Sequence, residues 1–190
     1  MILEPSIAPV IAVVGPSGVG KDSLMDALMA RLPGVQKQRR VITRAPELGG
    51  EDYEAVSEAR FATLRAEERF ALHWQAHGLH YAIPREIDEA RGIASGVLVN
   101  LSRKVLLEAQ DVFGVLIVLS VTATPEALAA RLAERGREDG AEVSRRLARA
   151  ATPLPTGLEH VIDIDNSGEL DGAIKAAEAA LAPWLQPVRA

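Results

Sequence analysis

Cysteine is absent from all 190 residues, which excludes disulfide staples and thiolate metal sites. Aromatic residues are scarce at 4 %, and the net charge is −5. Neither property suits a stacking platform for single strands or a grip on long nucleic acid. No apolar run reaches the ~18 residues that a membrane span requires. The opening segment, Met1 to Pro9, has no basic residue and no signal-peptide pattern. These absences lead to the expectation of a cytoplasmic protein with neither nucleic acid nor membrane as partner. What is present is ordinary: 48 % apolar residues in 190 positions, enough for a single domain around one core.

Apolar patterning divides the chain into alternating elements. Val10-Ile-Ala-Val-Val14 is a short β-branched run followed by a glycine-rich turn. From Asp22 to Leu32, residues Leu24, Met25, Leu28, Met29 and Leu32 recur at helical spacing, and Pro33-Gly34 ends the helix. Arg39 to Ile42 is a weak strand, Ala45 to Asp52 a loop, and Ser57 to Glu67 a helix. Phe70 to His77 and Leu79 to Ile83 form two strands turning at Gly78, and Pro84 is placed to open a helix at its first turn. Gly96 to Asn100 and Val115 to Val121 are buried-strand signals, the second the most apolar of the chain. Helices are expected over Val105–Gln110, from Thr124 to near Gly136, and over Ala141–Ala151. A last strand covers Val161–Ile164, and an amphipathic helix covers Leu170–Leu185.

Strand and helix alternate, so the expected class is α/β, with a P-loop NTPase-type parallel sheet and helices on both faces. The whole chain, 1–190, reads as a single domain. Its core is expected over 8–38 and 92–186. The shorter, more polar elements from about 39 to 90 read as a small insert.

Gly15-Pro-Ser-Gly-Val-Gly-Lys21-Asp22 fits G-x-x-x-x-G-K. Glycines let backbone N–H groups ring a phosphate without side chains in the way. The following helix aims its positive end at the same anion, and Lys21 adds a mobile charge. Gly15, Pro16, Ser17, Gly18, Val19, Gly20, Lys21, Asp22 and Ser23 are therefore the candidate triphosphate site. Asp22 stands where Ser or Thr is usual. Its carboxylate serves a hard cation such as Mg²⁺, or it is a helix N-terminal acid that stabilises the dipole. Ser23 is the alternative hydroxyl for the metal.

Other motifs extend beyond this loop. Thr43-Arg44, Asp52-Tyr53, Gly78 with Tyr81, and Arg131-Leu-Ala-Glu-Arg135-Gly136 ahead of Arg145-Arg146-Leu147 occur in an order that resembles the guanylate kinase family of nucleoside monophosphate kinases. The similarity runs over roughly residues 10 to 170. It implies that the insert binds an acceptor and that an Arg-rich lid lies near 131–150. Guanylate kinases carry an acid just before the position of Trp74 and a hydroxyl after a Tyr-Gly pair, where guanine is held. Here the corresponding residues are His73 and Ile83, and Ile offers no hydrogen bond. Guanine selectivity is therefore not expected.

Those departures are shared with a sister group. Gly20-Lys21-Asp22, Arg40-Val-Ile-Thr43-Arg44, Gly49-Gly50-Glu51-Asp52, Ala76-His77-Gly78-Leu79, Ile83-Pro84-Arg85 and Val99-Asn100-Leu101-Ser102-Arg103 resemble the ribose 1,5-bisphosphate phosphokinases of bacterial phosphonate breakdown. The resemblance implies transfer of the ATP γ-phosphoryl group to ribose 1,5-bisphosphate, giving 5-phosphoribosyl 1-diphosphate. An acceptor with two phosphates and no base needs cations rather than a base-reading pair. Arg40, Thr43, Arg44, Tyr53, Tyr81, Arg85, Asn100 and Arg103 are the candidate acceptor ligands, with His77 and His80 facing sugar hydroxyls. Lys21, Arg135 and Arg146 are the candidate catalytic cations. Arg131 and Asn166 are candidate ATP ligands, and Mg²⁺ is the expected cofactor. A monomer or a homodimer is compatible with the sequence. A guanylate or other nucleotide kinase is the first alternative, and a non-catalytic nucleotide-binding module the second.

Overall fold

A computed structural model describes residues 7–45, 51–134, 152–185 and 187. Five parallel strands form the main sheet: β1 (Val10–Val14), β2 (Val35–Lys37), β7 (Gly96–Asn100), β8 (Leu116–Thr122) and β9 (Val161–Asp165), in the order β2-β7-β1-β8-β9. Four further strands, β3 (Arg40–Ile42), β4 (Tyr53–Ala55), β5 (Phe70–Ala76) and β6 (Leu79–Pro84), make a second sheet ordered β4-β3-β6-β5. The helices are α1 (Lys21–Arg31), α2 (Glu58–Ala66), α3 (Glu86–Ile93), α4 (Leu106–Phe113), α5 (Pro125–Glu134) and α6 (Leu170–Leu181).

The main sheet is buried on both faces, as parallel sheets with crossover helices must be. Alternation along β1 splits its side chains between two apolar clusters. Val10, Ala12 and Val14 pack with Leu106, Ala109 and Phe113 of α4, Ile87 of α3, and Leu72, Trp74 and Ile83 of the second sheet. Ile11 and Val13 pack on the other side with Leu24, Met25 and Leu28 of α1, Leu128 of α5, and Ile174, Ala177 and Leu181 of α6. The expected parallel sheet with helices on both faces is what the chain forms.

Helix α2 starts where a serine suggests it should. Ser57 Oγ accepts from the Arg60 backbone N–H at 3.1 Å. The β5–β6 hairpin turns through His77 and Gly78, with φ of 53° and 75°. Two consecutive positive φ values give the type I′ turn that fits the twist of paired strands.

Local expectations fail in three places. Pro84 does not open a helix; it is the last residue of β6, and α3 begins at Glu86. The final helix ends at Leu181 and passes into a 3₁₀ turn, Ala182–Trp184, where Pro183 interrupts the α pattern. Strands β2 and β4 were not expected; each has three residues and, of the six, only Val35 is buried. The expected helix over Ala141–Ala151 lies outside the described residues.

One buried cation ties the fold together behind the sheet. Arg91 is 8 % exposed. Its Nε donates to the Ala8 carbonyl at 2.9 Å and its Nη2 to the Phe113 carbonyl at 2.8 Å. Burial pushes its pKa down. Removing it leaves two carbonyls without their donors in a region closed to water. Arg91→Ala is expected to lower stability by about 2–3 kcal/mol, since each buried group left unpaired costs of that order. A urea titration checks this as a lower midpoint at unchanged slope.

Candidate active site

Strand β1 delivers the chain to the carboxyl edge of the main sheet, where the loop Gly15–Gly20 turns into α1. Crowding fixes its first glycine. A Cβ on Gly15 would lie 2.4 Å from the Val121 carbonyl oxygen of β8. Its last glycine caps α1 with φ 94° and ψ 23°, a left-handed conformation that glycine adopts without strain. A Cβ there would also lie 2.7 Å from Asn166 Nδ2. Between the two, Val19 drops its side chain into the core and is fully buried. The loop is thus anchored from below, and its backbone stands above the sheet edge.

Lys21 folds back over the loop. Its Nζ donates to the carbonyls of Gly15 and Pro16, both at 3.0 Å. Burial lowers its pKa to about 8; Asp22 and Glu51 oppose that shift, while Arg40 and Arg103 add to it. Asp22 and Ser23 sit in the first turn of α1, half-buried and exposed respectively. Among the described residues no three acidic, His or Cys side chains converge as a metal cage. One carboxylate and one hydroxyl beside a phosphate loop is the donor set that suits Mg²⁺, which takes few protein oxygens and completes its shell with phosphates and water.

A cavity of about 920 Å³ opens beside this loop. Gly15, Pro16, Ser17 and Lys21 form one wall. Arg40, Trp74 and Tyr81 of the second sheet form another, with His77 at the hairpin tip; Asn100 ends β7, and Ser102, Arg103 and Lys104 follow it. Lys21, Arg40, Arg103 and Lys104 give it four cations, and no acidic side chain is among its described lining residues. Such a cavity is built for a multiply charged anion.

The second sheet supplies its wall through strand register. Tyr81 pairs with both Ile42 and Trp74, so Arg40, Trp74 and Tyr81 project from one face. Trp74 and Tyr81 stack at 5.5 Å between centroids and 9° between planes. The Arg40 guanidinium lies 5.0 Å from the Tyr81 ring centre and 5.9 Å from that of Trp74. Arg40 is also gripped from behind. Its Nε donates to Glu51 Oε1 at 2.8 Å, its Nη2 bonds Glu51 Oε2, and Asn100 Nδ2 donates to that same oxygen at 3.1 Å.

The structure therefore brings Lys21, Arg40, Tyr81, Asn100 and Arg103 to one cavity. Other expected ligands lie elsewhere. Thr43 and Arg44 border a smaller hollow with Ala45, Ala55, Val56, Ser57 and Glu58. The Thr43 hydroxyl accepts from the His80 N–H at 2.9 Å and so closes the β3–β6 ladder. Tyr53 donates its hydroxyl to the Ala45 carbonyl at 2.7 Å, under the Arg44 guanidinium at 5.8 Å. Arg85 lines neither space, because it lies past the end of β6, at the residue that leads into α3. It donates instead to the Glu68 carbonyl at 2.7 Å. His80 turns to the far face of the sheet, 5.3 Å from the Phe61 ring.

Asn166 is 2 % exposed, and its Nδ2 donates to the Val19 carbonyl at 2.7 Å. It braces the loop from below rather than bordering a base at the surface. Arg131 donates to the Gly168 carbonyl at 3.2 Å. Arg135 and Arg146 lie outside the described residues.

Two residues carried the argument against guanine, and neither faces the cavity. Ile83 is fully buried in the core, and His73 is exposed on the face of β5 opposite Trp74. Strand alternation places His73 on the other face, whereas Ile83 shares the face of Tyr81 but is packed with Leu72 and Trp74 in the core. The aromatic pair that does face the cavity, Trp74 and Tyr81, has the Arg40 guanidinium beside it. The residue missed by sequence reasoning is Glu51. Its only signal was its place in the Gly49-Gly50-Glu51-Asp52 motif.

A phosphate loop at the carboxyl edge of a parallel sheet, opening onto a cation-lined cavity, defines a P-loop kinase. Residues 11–151 match the AAA domain family, to which the chain belongs. The chain is 63 % identical to ribose 1,5-bisphosphate phosphokinase PhnN of Ruegeria sp. (strain TM1040), over 94 % of each chain. It is 44 % identical to ribose 1,5-bisphosphate phosphokinase PhnN of Brucella melitensis biotype 2, over 87 % of this chain and 88 % of that one. Among solved structures, guanylate kinase from Anaplasma phagocytophilum shares the fold at a TM-score of 0.62 and 15 % identity, covering 96 % of this chain and 89 % of the other. Within the P-loop kinases, the chain is a member of the ribose 1,5-bisphosphate phosphokinase family.

The lowered Lys21 pKa has a measurable consequence. Below about 8 the amine is charged before and after an anion binds; above it, binding must take up a proton. Affinity for ADP, titrated calorimetrically without magnesium, is expected to weaken as pH rises above about 8. Lys21→Arg, whose guanidinium stays charged, removes that dependence.

Proposed function

We propose that this protein transfers the γ-phosphoryl group of ATP to the 1-phosphate of ribose 1,5-bisphosphate, giving 5-phosphoribosyl 1-diphosphate and ADP. The observation that carries the reading is the cavity beside the loop: four cationic side chains, no described acidic lining residue, and an aromatic pair already covered by Arg40. Family membership points the same way.

An oxygen of the acceptor's 1-phosphate attacks the γ-phosphorus, the bond to the β–γ bridging oxygen breaks, and ADP leaves with that electron pair. The attacking oxygen is already anionic near neutral pH, so no general base is required. Catalysis is positioning and charge neutralisation. The loop N–H groups and Lys21 hold the donor phosphates. Arg40 and Arg103 hold the acceptor, with Tyr81, Asn100 and His77 as neutral polar contacts. Asp22 or Ser23 would hold Mg²⁺, whose contribution is to screen the donor phosphates. Arg135 and Arg146 are assigned to charge on the transferring group, and Arg131 to ATP. The reaction belongs to phosphonate breakdown in the cytoplasm, with small molecules rather than nucleic acid or membrane as partners, and with the protein as monomer or homodimer.

Coupled ADP-release assays with ribose 1,5-bisphosphate and with GMP test the reading. Turnover is expected with the bisphosphate and to fall about a thousandfold in Lys21→Ala, the scale at which lost transition-state charge contacts are felt. Turnover with GMP alone would refute the reading, and none with any acceptor would leave a nucleotide-binding module. The cavity also ranks two arginines. Arg40→Ala is expected to raise the acceptor KM more than Arg44→Ala does, with the ATP KM little changed in either; the reverse order would move the acceptor to the smaller hollow.

A further inference from the structure

Glu51 stands behind the cavity wall rather than in it. It is absent from the lining, yet it bonds two residues that are present, Arg40 and Asn100. Both side chains of the Arg40–Glu51 pair are largely withdrawn from water, at 12 % and 13 % exposure. Withdrawing a bidentate pair from water is costly unless the geometry compensates. The cost is not needed to keep Arg40 in the fold, since its guanidinium already lies beside the stacked rings of Trp74 and Tyr81.

The pair does two things to the guanidinium. It takes Nε–H and one Nη2–H, so the N–H groups left for the cavity are those of Nη1 and the remaining one of Nη2. It also removes the rotational freedom of a long side chain before any ligand arrives, which lowers the cost of binding. The same carboxylate weakens the positive field that Arg40 offers to a phosphate. These effects have opposite signs, and their sum decides what Glu51 does.

We propose that Glu51 is a positioning residue that selects a base-free phosphorylated sugar: it pins Arg40 against Trp74 and Tyr81, presenting one guanidinium edge to the acceptor phosphate and closing the aromatic face to a nucleobase. Positioning outweighs the lost field because the clamp is bidentate and is itself held by Asn100. The same fixation gives selectivity. A nucleoside monophosphate must displace Arg40 to stack, and so must break the pair with Glu51. This rests on reading the cavity as the acceptor site.

Glu51→Gln keeps the shape and removes the charge, and Glu51→Asp keeps the charge on a shorter arm. In Glu51→Gln the acceptor KM is expected to rise about tenfold or more with the ATP KM within twofold, the split that marks a residue serving one substrate only. Glu51→Asp recovers part of the loss. The double variant with Arg40→Ala is no worse than Arg40→Ala alone, as for residues acting as a unit. GMP turnover relative to the bisphosphate rises in Glu51→Gln. An acceptor KM that is unchanged or lower, or equal rises in both KM values, overturns the proposal. Thermal melts of both variants separate these outcomes from loss of fold. If the wild-type protein itself does not turn over the bisphosphate, the proposed function fails on its own. The clamp is then read by titrating inorganic pyrophosphate onto the ADP-bound protein: weaker binding in Glu51→Gln than in wild type supports it, and equal or tighter binding overturns it.

Discussion

The site depends on how closely one backbone segment can approach another. The loop after β1 leaves the sheet beside the end of β8, and a side chain at Gly15 would meet the Val121 carbonyl at 2.4 Å. Only a bare backbone passes there, and the passage sets where the next residues go. Val19 is seated in the core, Gly20 turns with positive φ, and α1 starts with its N–H groups facing the space above the strands. Everything that recognises an anion is placed relative to that contact: the helix end, the Lys21 amine and the edge of the second sheet. The β1–β8 ladder fixes the strand spacing at that contact, and the apolar helices cover the face behind it.

Charge in the cavity is arranged at the expense of the empty protein. Lys21 lies where burial disfavours its cation and where Arg40 and Arg103 repel it. Asp22 offsets part of this. Gathering like charges costs free energy that an entering anion relieves, and the folded scaffold must be stable enough to tolerate it. Glu51 is a second moderating element. It holds one cation from behind, leaves the cavity surface positive, and raises the tendency of Lys21 to stay charged.

The parts of the fold legible in the sequence are those whose physics is local or periodic. The phosphate loop shows itself through glycine spacing between an apolar run and a helical pattern. The buried strands β1, β7 and β8 show themselves as short apolar runs. Strands β2 and β4 do not, because three residues are too few to show a period of their own and become strands only by pairing with β7 and β3. At the site, residue types were readable but their directions were not. Arg40 and Arg85 look alike in the chain, but Arg40 sits on a strand that faces the cavity, while Arg85 sits at the turn into α3 and donates to a carbonyl beyond it. Glu51 was illegible for a related reason: its partners lie eleven residues before it and forty-nine after it.

The bond from Asn166 to the Val19 carbonyl bears on how the protein is made. It joins positions 147 residues apart. A ribosome emits the phosphate loop long before the side chain that braces it, which emerges only with the end of β9. Main-sheet neighbours of β1 come late as well, since β7 begins at Gly96 and β8 at Leu116. During translation the loop is therefore exposed as an unsupported glycine-rich segment, and the nucleotide site closes as one of the last events of folding. A nascent chain stalled before residue 166 would carry the full loop sequence and lack the support that shapes it.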